Sequence, residues 1–78
     1  MYYNNMDTIK TAKKALEKKI ISFDFVTSIS SREEKDVPYI DIGVTDRKYS
    51  AKIEDLLTNG KWMGFMVKIN VSPFSTFQ

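Results

Sequence analysis

The chain has no cysteine and no histidine among its 78 residues. Without cysteine there is no disulfide framework, no thiolate zinc site and no thiol nucleophile. Without histidine there is no Ser-His-Asp or Cys-His arrangement and no imidazole metal ligand. General acid–base work would fall to carboxylates, lysines or tyrosines, which need burial to titrate near neutrality. The expectation is a protein that is not an enzyme, with no cofactor and no metal site.

Other elements are scarce. There are three glycines and two prolines, and no repeat, low-complexity tract or linker breaks the chain. A single domain over 1–78 is expected, with loose ends at 1–5 and 73–78. No apolar run approaches the roughly 18 residues of a membrane span, so no membrane role is expected. Residues 1–6 show neither the basic nor the apolar stretch of a secretory leader. Small secreted domains usually depend on disulfides, so the expected location is the cytoplasm of the producing cell or of a host. No phosphate-binding loop, dinucleotide fingerprint or EF-hand spacing is present.

What is there is unevenly charged. The first twenty residues carry Lys10, Lys13, Lys14, Lys18 and Lys19 against Asp7 and Glu17, a net +3. Residues 21–46 carry two cations against six carboxylates, a net −4, and residues 47–78 return to +3. An acidic middle between basic flanks predicts a polarised surface if the fold keeps the segments apart.

The periodicity predicts an α+β domain of α-β-β-α-β order, a two-layer sandwich with both helices on one face of a three-stranded sheet. Ile9, Ala12, Leu16 and Ile20 recur at helical spacing and mark the buried stripe of a helix over Asp7–Lys19, capped by Asn5 or Asp7. The period then changes to two. Ile21, Phe23, Phe25, Thr27 and Ile29 predict the inward set of a first strand, with Ser22, Asp24, Val26 and Ser28 outward. Pro38 opens a second strand whose inward residues are Ile40, Ile42 and Val44. A second helix follows, capped by Thr45, Asp46 or Ser50, buries Tyr49, Ile53, Leu56 and Leu57, and ends at Asn59-Gly60. One last strand spans Lys61–Val71, with Met63, Phe65, Val67, Ile69 and Val71 inward, before Pro73 and a tail holding Phe74 and Phe77. Sheet order 2-1-3 with antiparallel neighbours and order 1-2-3 both satisfy this pattern.

The face away from the helices would carry Tyr39, Trp62 and Met66 beside Val26, Gly43 and Gly64. Trp, Tyr and Met are enriched at protein interfaces, and strand glycines permit close approach. Folding back of Phe74 and Phe77 over these residues is the structural alternative. The connection between the first two strands holds Glu33, Glu34 and Asp36, which could be offered to a basic groove; equally, loops are polar because they are solvated. These features predict a small protein-binding module, an inhibitor or adaptor of the kind phages and mobile elements encode. It would dock on another protein, or on a second copy as a homodimer, through the open sheet face, a strand edge or the acidic hairpin.

The second reading is nucleic acid. Lys10, Lys14 and Lys18 fall at i, i+4 and i+8 and so line one side of the first helix, where they could follow a phosphate backbone. A solvated helix face has the same pattern, and arginine, preferred for bidentate recognition, is limited to Arg32 and Arg47. A D…D-x-K string of Asp41, Asp46 and Lys48 is the spacing of some metal-dependent nucleases. A mid-strand residue and a helix cap need not converge, so no catalytic residues are assigned.

Overall fold

A computed structural model describes residues 5–72 of the chain, with side chains from residue 8 onward. Helix α1 (Asn5–Ile20) is followed by strands β1 (Val26–Glu34) and β2 (Val37–Val44). A 3-10 turn (Arg47–Tyr49) leads into the short helix α2 (Ser50–Glu54), then β3 (Lys61–Trp62) and β4 (Phe65–Val71). The α+β class holds, but the sheet has four strands rather than three, in the order β1-β2-β4-β3. Of the ends expected to be loose, residues 1–4 and 73–78 lie outside the described residues, while Asn5 already belongs to α1. The capping expected of Asn5 or Asp7, and the covering role considered for Phe74 and Phe77, also lie outside them.

Ile9, Ala12, Leu16 and Ile20 are all fully buried, so the stripe of α1 is the stripe its periodicity marks. It packs on the sheet face that presents Ile40, Ile42 and Val44 of β2, also fully buried, and Ile53 of α2 completes the same cluster. The most buried strand, β2, occupies a central position, flanked by β1 antiparallel and β4 parallel. Of the two sheet orders, the parallel neighbour selects 1-2-3. A parallel pair needs a crossover between its strands, and residues 45–64 supply it. Pro38 stands opposite Glu33, before the pairing of β2 with β4 begins at Tyr39, so its missing N–H costs no ladder bond.

Three local devices overturn parts of the alternating pattern. First, β1 begins only at Val26; Ile21–Phe25 form turns, with bonds from Ile21 N to Glu17 O (2.8 Å) and from Phe23 N to Ile20 O (2.9 Å). Second, a bulge between Val26 and Ser28 inserts Thr27 into the ladder. One extra residue flips side-chain parity, so Val26 faces the core instead of the open side. Third, the expected single last strand is a hairpin. Met63 and Gly64 turn with φ of 51° and 86°, and Trp62 pairs directly with Phe65. Cross-strand partners share a face, so Trp62 joins Phe65 on the helix side, while Met63 is an exposed turn residue rather than an inward one. Gly64 serves this turn, not the open face.

Asn59-Gly60 also has a different task from the one expected. Helix α2 stops at Glu54, and the pair forms the centre of a tight turn closed by Thr58 N to Lys61 O (2.9 Å) and Lys61 N to Thr58 O (3.0 Å). Both residues have positive φ, 56° and 77°, the geometry for which Asn-Gly is preferred.

Candidate functional site

The open face of the sheet is built from alternate residues of three strands. β1 contributes Ser28, Ser30, Arg32 and Glu34; β2 contributes Val37, Tyr39, Asp41 and Gly43; β4 contributes Met66, Lys68 and Asn70. Register sets their neighbours, with Arg32 opposite Tyr39, Tyr39 opposite Met66, and Asp41 opposite both Ser30 and Lys68.

Two polar rows cross this face. Asp41, in the central strand, accepts from Arg32 Nε at 3.0 Å on one side and from Asn70 Nδ2 on the other. Lys68 reaches across β2 to Glu34, Nζ to Oε1 3.0 Å, and its ammonium lies 4.4 Å from the centre of the Tyr39 ring. The hydrogen bond to Glu34 raises the Lys68 pKa above its ordinary value, opposed by partial desolvation and assisted by the negative charges of Glu34, Tyr39 when ionised, and Asp41. The Glu34–Lys68 pair is solvent-exposed and Arg32 reaches Asp41 from the solvent side, so water and salt screen both pairs. Their effect is to fix side-chain positions across strands.

Beside the second row the face becomes apolar. Val37 is 50% exposed and Met66 43% exposed, next to the half-buried Tyr39. With Glu34, Lys35 and Lys68 they enclose a hollow of about 180 Å³ at the end of the sheet nearest the β1–β2 turn. Glu33, Glu34 and Asp36 are all exposed at that turn, Lys35-Asp36, and of the three only Glu34 lines the hollow. Of the residues expected on the docking face, Tyr39 and Met66 are thus brought together with the acidic hairpin. Trp62 is not among them: its Nε1 donates to Ala12 O at 3.0 Å on the helix side. Val37 was missed because it lies next to the turn, where polarity rather than periodicity guided the reading.

Gly43 occupies the other end of the face and is buried. A Cβ there would lie 2.5 Å from Ser28 Oγ and 2.8 Å from Thr27 Oγ1. The close approach within the chain is made by side chains of its own bulge.

The remaining expected site residues lie elsewhere. Lys10, Lys14 and Lys18 are all exposed on α1. Asp46 caps the 3-10 turn by accepting from Lys48 N at 3.0 Å, while the carboxylate of Asp41 is held by Arg32 and Asn70. The two acids of the D…D-x-K string therefore serve separate networks, and among the described residues no cluster of three or more acidic side chains could hold a metal ion. Among the described residues no helix is long and apolar enough to cross a membrane.

No family model, curated protein or solved structure matches this chain. Its function is therefore argued from the geometry alone.

Proposed function

We propose that the chain is a small protein-binding module, of inhibitor or adaptor type, which docks on another protein through the hairpin end of its open sheet face. The observation that carries this reading is the exposed Val37–Tyr39–Met66 corner, rimmed by the Glu34–Lys68 pair and the acidic turn. Apolar area surrounded by charged groups is the usual make-up of an interface: the centre supplies affinity by leaving water, and the rim supplies register and selectivity. Tyr39 is well suited to the centre because its ring is already held under Lys68, so little side-chain freedom remains to be lost on binding. The exposed carboxylate of Asp36, in the turn beside the corner, favours a partner whose matching surface is basic.

The test compares the native chain with Tyr39→Ser/Met66→Lys in affinity capture from the producing cell. Sedimentation velocity of the isolated protein covers the case of a second copy. A discrete partner or a self-association that disappears in the double variant, while circular dichroism stays native, is the expected result. Capture and association that are the same in both proteins would remove the corner from consideration.

A further inference from the structure

A track of lysines and rings runs along α1 and into the turns that follow it in the chain. Lys10, Lys14 and Lys18 stand exposed along α1, rising about 6 Å per step. Lys14, Glu17, Lys18 and Ile21 line a shallow groove of about 370 Å³, in which Ile21 is half exposed. The next residue, Ser22, begins the lining of a second groove of about 450 Å³, formed with Phe23, Asp24, Phe25, Thr45 and Tyr49. The turns that end α1 fold Phe23 back against Ile20, and a bond from Thr45 N to Phe25 O (2.9 Å) brings the start of the 3-10 segment alongside.

Three rings consequently stack. Phe23 and Phe25 are 5.0 Å apart between centroids and 18° from parallel; Phe25 and Tyr49 are 4.5 Å apart and 8° from parallel. The Lys48 ammonium lies 5.1 Å from the Tyr49 centroid, at the far end of the ladder. Phe23 is the other terminal ring, and among the described residues no further ring stacks on it. All three rings are half-buried rather than enclosed, so the ladder both closes one end of the core and borders the solvent groove.

We infer that this track binds single-stranded nucleic acid. The lysines of α1 follow consecutive phosphates, and a base enters the second groove against the Phe23 end of the ladder. A cationic path combined with aromatic faces is the general basis of single-strand recognition, because every base has a face to stack and every nucleotide has a charge. Asp24 sets the orientation: its carboxylate repels phosphate from the ring groove but can accept from the ring or amino N–H groups of a base. A duplex fits poorly, since its bases are already stacked on one another. The ring groove lies at the Val26–Val44 end of the β1–β2 pair, and the lysines lie on α1, which covers the sheet face opposite to Tyr39 and Met66, so this site and the protein-docking corner stand or fall separately.

The experiment is fluorescence anisotropy of labelled oligonucleotides of about ten nucleotides, single-stranded and duplex, over a salt series. The expected result is saturable binding to the single strand. Its logarithmic salt slope should be about −2, as three phosphate contacts release counterions from a single strand. Lys10→Glu/Lys14→Glu/Lys18→Glu should lower affinity more than tenfold. Phe23→Leu, which retains apolar bulk against the core, should lower it several-fold with the slope unchanged. No binding at low salt, duplex binding as tight as single-strand binding, or indifference to either variant with native circular dichroism would overturn the inference.

Discussion

Trp62, in a strand of two residues, donates its indole N–H to the carbonyl oxygen of Ala12 in the middle of α1, at 3.0 Å and across 50 positions of sequence. The bond ties the sheet edge formed by β3 to the helix layer. It also explains why a tryptophan is found at the tip of so short a strand: the ring packs against the core while its single polar group finds a partner.

Replacing Trp62 by Phe retains most of the packing and removes that bond. Unfolding free energy should fall by about 1 kcal/mol. Trp62→Ala should cost about 3 kcal/mol through lost burial and a residual cavity. Guanidinium unfolding followed by circular dichroism measures both; a Phe variant with an unchanged midpoint would show that the bond adds nothing.

The β1–β2 turn offers a gain. Lys35 and Asp36 have φ of 51° and 66°, a left-handed conformation at both central residues that side chains with a Cβ resist. Exchanging the pair for Asn-Gly, as at residues 59–60, should stabilise the fold by about 0.5–1 kcal/mol. Thermal unfolding is the check, and a lower Tm would contradict the turn geometry.

Gly43 should resist a larger residue. A Cβ there meets the side-chain oxygens Ser28 Oγ and Thr27 Oγ1 in a buried position, and relieving the overlap means turning these hydroxyls out of place. Gly43→Ala should destabilise by about 1–3 kcal/mol, whereas Ser28→Ala/Gly43→Ala should recover part of the loss because the nearer oxygen has gone. If the double variant is no better than the single one, the crowding is not at Ser28.

The Glu34–Lys68 pair makes a pH prediction with a definite sign. The Lys68 pKa is raised in the folded protein, mainly by its hydrogen bond to Glu34. The associated stabilisation is present below the unfolded lysine value and is lost as pH rises through the higher folded value. Glu34→Gln should bring the Lys68 titration, followed by NMR of its side chain, back towards 10.5. Because the pair is exposed, Tm near neutral pH should hardly change. A Lys68 titration identical in both proteins would mean that the bond does not persist in solution.

The helical stripe of α1 and the inward set of β2 were both legible in the residues, since each depends only on neighbours within one element. Ile9, Ala12, Leu16, Ile20, Ile40, Ile42 and Val44 are buried as their spacing predicts. Tyr39 and Met66 were placed on the open face because simple alternation holds around them. Val26 and Trp62 were misplaced because a bulge and a two-residue turn each reverse parity, and an apolar residue beside such a device reads the same on either face. The stacked Phe23, Phe25 and Tyr49 left no local signal, since their meeting depends on where β1 begins.

The amino-acid sequence by itself determined what this protein lacks, namely thiol and imidazole chemistry, and which helix stripe and strand face exclude water, because composition and periodicity are properties of the chain. Tertiary structure alone decided the order β1-β2-β4-β3, the cross-strand network of Arg32, Asp41 and Asn70, the apolar corner at Val37, Tyr39 and Met66, and the ring ladder beside the lysines of α1. Each of these joins segments distant in sequence, and their relative stability rests on pairings between strands that no local pattern records.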